Sequence, residues 1–165
     1  MIKKLNISLL TMFGIGYSKF APGTVASFLT CVIYIILFIC NVQILILLFF
    51  FLIILLYSFY AIESTKNYFK EQDSREIVID EFIGQSVPIL TIYYLNFSND
   101  LKNFIFLSIL SFIFFRFFDI LKPFPINLID KNLKNNFGII LDDLVAGIFS
   151  VITLLILNSV LTYVV

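Results

Sequence analysis

Four short stretches of this chain gather the side chains that can do chemistry. Asp80 and Glu81 are adjacent, and Gly84 lies one helical turn beyond Asp80 on the same face. Arg116, Asp119 and Lys122 recur every three residues, so each neighbours the next along one helical stripe. Asp142 and Asp143 form a second acidic pair, opening the last apolar run, with the small residues Ala146 and Gly147 one turn deeper. The fourth stretch, 14–27, carries Gly23 after Pro22, then Thr24 and Ser27. Either hydroxyl can cap the helix that follows, and the free N–H groups of such a helix start can receive an anion. Each stretch also has a plain structural use: a solvated helix end, an ion pair with a snorkelling lysine, a carboxylate complementing a helix dipole, a cap. That use explains one aspartate better than two, because adjacent like charges repel unless a cation sits between them.

The rest of the composition narrows the chemistry. Histidine is absent, and the two cysteines, Cys31 and Cys40, lie in an apolar run with no C-x-x-C spacing. A tight zinc site and a histidine-activated nucleophile are therefore excluded. Carboxylates, amines, arginine and hydroxyls remain, a donor set that suits a hard cation such as Mg²⁺. Lysine plus arginine and aspartate plus glutamate number 11 each, so no net field favours nucleic acid.

The elements that must position these groups are apolar. The chain has 165 residues, of which 61% are hydrophobic and 13% charged, about half the charge a soluble domain uses. The reading is an all-α, polytopic membrane bundle forming a single domain over 1–165. Apolar runs fall at 25–40, 44–62, 82–95, 104–118 and 144–165, giving about five membrane-associated helices. Only 41–43 separate the first two runs, which are read as a tight hairpin because together they overrun any single span. Lys3 and Lys4 precede an interfacial segment that is interrupted by Asn6, Ser8 and Thr11 and lacks a clean cleavage site. With the amino terminus inside, Lys3, Lys4, Lys19, Lys66, Lys70, Arg75, Arg116, Lys122, Lys131 and Lys134 face the cytoplasm, and Lys102 alone faces out. The acids sort the same way, leaving only Asp100 outside. Pro123 is expected to end its helix and Pro125 to keep the next turn extended.

Asp80, Glu81, Asp119, Asp142 and Asp143 are thus expected to converge near Arg116 and Lys122 at the inner membrane face. One or two Mg²⁺ ions would balance so many carboxylates and help bind a phosphate, which describes a phosphoryl-chemistry site facing lipid headgroups.

At these residues the chain resembles the phosphatidylglycerophosphatase A family. The resemblance rests on Ala21-Pro22-Gly23-Thr24 with Ser27, on Asp80-Glu81-x-x-Gly84, on Phe115-Arg116-x-x-Asp119-x-x-Lys122-Pro123-x-Pro125, and on Gly138 with Asp142-Asp143-x-x-Ala146-Gly147. The four occur in the family's order; Lys19 and Ala26 stand where the family often has proline and glycine. The resemblance implies a Mg²⁺-dependent lipid phosphatase of the bacterial inner membrane, cleaving phosphatidylglycerophosphate to phosphatidylglycerol and inorganic phosphate. It implies a metal held by Asp80, Glu81, Asp142 and Asp143, with Asp119 a further ligand or supporting partner. Arg116 and Lys122 would bind the phosphate, with Gly23, Thr24 and Ser27 as a phosphate loop, and one carboxylate would act as general base.

Two other classes compete. A transporter or channel subunit would also use intramembrane carboxylates and arginine. Its acids would be distributed through the depth of the spans, however, and no inverted repeat is visible. A CDP-alcohol phosphotransferase likewise places acids and Mg²⁺ at a headgroup site, but its D-G-x-x-A-R signature does not occur here.

Overall fold

Proline decides where the first long helix begins. Pro22 occupies the first turn of α2 (Pro22–Ile39), where its missing N–H is not needed. The helix stops at Cys40–Asn41, where Asn41 turns the chain with φ of 52°. After two further residues α3 (Ile44–Thr65) runs back, so the expected hairpin forms. This computed structural model describes residues 2–69, 74–95, 100–133 and 136–164, without the side chains of 136 and 160–164. Lys70, Lys134 and Val165, used in the topology above, lie outside the described residues, as do positions 71–73, 96–99 and 135.

The other helices are α1 (Ile2–Leu10), α4 (Ile79–Leu95), α5 (Leu101–Leu121), α6 (Ile126–Asn132) and α7 (Asn136–Val164), with a 3₁₀ turn at Ile15–Tyr17. No strand occurs among the described residues. Four segments are long and apolar enough to cross a bilayer: Pro22–Ile39, Ile44–Thr65, Leu101–Leu121 and Phe137–Ser159. The remaining member of the expected five, α4, has 17 residues and is walled in by the others. That position lets it carry Gln85 and Ser86 in its interior, because both are fully buried and Gln85 Nε2 donates to Ser111 Oγ of α5 at 3.0 Å.

The bundle has two distinct ends. At one, Val78 N–H donates to Leu10 O at 2.9 Å, and Arg75 reaches the carbonyls of Ser18 and Lys19. At the other, the Tyr93 hydroxyl donates to Val42 O at 2.5 Å, and the Phe38 and Phe104 rings stack at 4.1 Å. Between the ends, Leu45, Phe49, Leu52 and Leu56 of α3 point outwards, the expected face towards lipid.

Several sequence expectations shift. The amino-terminal segment forms a helix, α1, docked on α3. Asn6 is fully buried; its Nδ2 donates to Ser64 Oγ at 2.6 Å, and its Oδ1 accepts from Tyr57. Thr24 and Ser27 do not cap α2, because the helix starts at Pro22 and both lie inside it. Pro125 does not keep the chain extended: with φ −93° and ψ 2° it stands at the start of α6, a helix the sequence reading left out. Asp142 and Asp143 do not open α7 but lie well inside it, since the helix begins at Asn136.

α4 and α7 approach each other through glycines. A side chain on Gly84 would come within 2.6 Å of the Phe115 ring and 2.7 Å of Asp143 O. A side chain on Gly147 would strike the carbonyl oxygen of Gly84. Pro88, four residues after Gly84, has no N–H to give that oxygen, so the carbonyl is left facing the partner helix.

Candidate active site

The first turn of α4 supplies Asp80 and Glu81, whose geometry is locally fixed: Glu81 N–H donates to Asp80 Oδ1 at 3.1 Å. The absence of a side chain on Gly23 makes room for the Glu81 carboxylate, which lies where a Cβ would stand. The start of α2 therefore faces an acid, an arrangement its dipole favours. From α7 comes Asp143, 4% exposed. One oxygen from each of Asp80, Glu81 and Asp143 lies within 4.8 Å of the others.

Around this group stand the remaining expected residues. Arg116 Nη1 donates to Asp119 Oδ2 at 2.5 Å, and Asp119 lies within side-chain hydrogen-bonding reach of Asp143. Lys122, with φ of 43°, closes the end of α5 and sends its Nζ to Asp142 Oδ2 at 2.8 Å and to Asp130 Oδ1. Burial alone would lower the Lys122 pKa; hydrogen bonds to Asp130 and Asp142 and the charges of these acids outweigh that and raise it. The ammonium is thus a fixed charge.

All five expected carboxylates meet Arg116 and Lys122 at one end of the bundle. They divide the work unevenly: Asp80, Glu81 and Asp143 form the close triad, while Asp142 gives one oxygen to Lys122. Ser27 is fully buried, and its hydroxyl donates to Gly23 O at 2.9 Å, so its single proton is already committed and none remains for a phosphate oxygen. Asp130 was missing from the sequence reading. It follows Lys122 by eight residues across two prolines, so no single helix or strand joins them, and only α6 brings it back.

A cation fits the triad chemically. Three carboxylates this close repel by about 4 kcal/mol per pair at 4 Å and an effective dielectric constant of 20. Glu81 Oε2, Asp142 Oδ1 and Arg116 Nε are buried without a hydrogen-bond partner among the described residues. Two orphaned acceptors and one orphaned donor in the same cluster are what a cation and an anionic group would satisfy.

Comparison with known proteins decides the family. The sequence matches the phosphatidylglycerophosphatase A family over residues 8–158, a stretch that contains all four motifs. The chain belongs to the phosphatidylglycerophosphatase A family. A Haemophilus influenzae phosphatidylglycerophosphatase A is 36% identical over 140 residues, 85% of this chain and 80% of that one. The Escherichia coli K12 phosphatidylglycerophosphatase A is 30% identical, covering 84% of this chain and 74% of its own. A Bacteroides thetaiotaomicron relative with the provisional name phosphatidylinositol-3-phosphatase is 32% identical, covering 86% of each. No solved structure matches. Membership in the phosphatidylglycerophosphatase A family makes the chain a phosphoric monoester hydrolase acting on phosphatidylglycerophosphate.

Proposed function

We propose that the chain removes the terminal phosphate of phosphatidylglycerophosphate at the carboxylate cluster, with Mg²⁺ held by Asp80, Glu81 and Asp143 and by the free oxygen of Asp142. The observation that carries this reading is the triad itself, three acid oxygens within 4.8 Å with an unpartnered Glu81 Oε2 beside them. Bound there, the ion supplies positive charge against the phosphate and makes water at the site more acidic. Arg116 and Lys122 bind the phosphate oxygens, where charge grows as the ester bond breaks. Asp119 aims the guanidinium, whose Nε has no partner among the described residues and whose other N–H groups supply further donors for the phosphate. The N–H groups at Gly23 and Thr24 add donors at the start of α2. One carboxylate takes a proton from water as the water oxygen bonds to phosphorus; the phosphorus–oxygen bond to the glycerol breaks, and the glycerol oxygen receives that proton, leaving phosphatidylglycerol and inorganic phosphate.

We further place the protein in a bacterial inner membrane with this site facing the cytoplasm, on the strength of the lysine and arginine asymmetry. The test is phosphate release by purified protein in detergent micelles. Turnover is expected with Mg²⁺, none with EDTA, and a loss of about 100-fold or more for Asp143→Asn at unchanged expression. EDTA-insensitive turnover would remove the metal; an active Asp143→Asn would move the chemistry elsewhere.

A further inference from the structure

Helices joined by a short loop ordinarily pack on one another. α2 and α3 do not: α2 packs against α4 and α5, α3 against α1 and α4, and the two arms of the hairpin barely touch. Between them lies a cleft of about 300 Å³. Its walls include Ile33 and Leu37 of α2, Ile46, Leu47 and Ile54 of α3, and Phe82 of α4. Tyr34 also lines it; its ring stacks on Phe82 with centroids 6.5 Å apart, while its hydroxyl bonds to Ser86.

The cleft and the candidate site share two helices, α2 and α4. Phe82 is the residue after Glu81, and α2 contributes to both places. Gly23 meets the Glu81 carboxylate, and Ile33 and Leu37 lie about 15 and 21 Å further along the helix axis at 1.5 Å per residue. A bilayer's hydrocarbon is about 30 Å thick, so these walls stand at the depth of acyl chains. Two other cavities lack this connection. One of about 320 Å³, lined by Leu48, Val87 and Leu90, lies between α3 and α4, and the other, lined by Asn41, Gln43 and Tyr94, lies at the hairpin end.

We propose that the α2–α3 cleft seats an acyl chain of the phospholipid substrate while its terminal phosphate lies at the carboxylates. This rests on the phosphatase reading above. A single lipid carries an anionic phosphate at one end and an apolar chain at the other. The protein offers an acidic, cation-ready cluster flanked by Arg116 and Lys122, and, deeper along the same helices, an apolar trough whose wall includes Phe82, the residue after Glu81. Bulk lipid is the competing occupant.

Ile33→Trp and Ile46→Trp narrow the cleft from opposite arms. Both positions are partly open, 40% and 45% exposed, so the indole enters the trough without displacing the core. Each variant is assayed with Mg²⁺ on dipalmitoyl and dihexanoyl phosphatidylglycerophosphate at equal mole fraction in mixed micelles. The expected result is about a tenfold fall in kcat/KM for the long-chain lipid, with the short-chain lipid within about twofold of wild type. Equal losses on both lipids, or no loss on either, would assign the cleft to bulk lipid and overturn the proposal. Wild-type protein inactive on both lipids would instead overturn the phosphatase reading beneath it.

Discussion

Lys122 is held at both ends of its side chain. Its backbone sits in the left-handed region, which costs a non-glycine residue on the order of 1–2 kcal/mol, and its ammonium is clamped between Asp130 and Asp142. Such a constraint suits a group that must meet a phosphate in one position. If Asp130 acts through Lys122, Asp130→Asn should lower kcat/KM by about tenfold in the wild type. It should change it by less than about twofold in a Lys122→Met background, the non-additivity expected of partners in contact. Additive losses would make Asp130 a separate structural support. Ser27 points the other way: Ser27→Ala should keep phosphate release within about threefold, because its proton already serves Gly23 O. The acids and bases of the site were legible one by one in the sequence, since charge in an apolar stretch has few uses. Partnership was not legible. Nothing in the spacing of Lys122 and Asp130 reveals that a seven-residue helix folds one back onto the other.

At the level of elements, the seam between α4 and α7 sets how closely the acidic pairs approach. Gly84→Ala would press a methyl group between the Phe115 ring and Asp143 O. It should destabilise the bundle by about 1–3 kcal/mol, read as a lower Tm in detergent, and reduce turnover by moving Asp143 away from Asp80. An unchanged Tm would mean that the helices can separate without harm. The helices α2, α3 and α5 were readable because lipid demands apolar residues nearly all round them. α4 read as a shorter run, since burial among neighbours tolerates Asp80, Gln85 and Ser86. The depth of Asp142 and Asp143 was misread for a related reason. The apolar run begins only at 144, yet α7 starts at Asn136, and Ile139 and Ile140 near its start pack in the core with Leu10, Ile62 and Ile83. α1 and α6 are too short for any periodicity to announce them.

The whole molecule is chemically one-sided, and the chain carries its own reporter of which side is which. Cys40 is exposed at the hairpin turn, whereas Cys31 is buried. In intact cells a membrane-impermeant maleimide should label Cys40. A Lys131→Cys, Cys40→Ser variant should stay unlabelled until the membrane is permeabilised. The reverse pattern would turn the site outwards. The seam between α4 and α7 carries a consequence for descent with modification. Gly84, Pro88 and Gly147 share one carbonyl: the first owns it, the second leaves it unclaimed, and the third gives it room. A lineage that replaced Pro88 with an ordinary residue would give that oxygen an N–H of its own helix, but a side chain at 147 would still meet Val87 Cβ at 3.1 Å, so the seam and not the proline holds the glycine. Across homologues the glycine at 147 should therefore persist with or without the proline, and a larger residue should arise there only where the helix opposite has itself moved away.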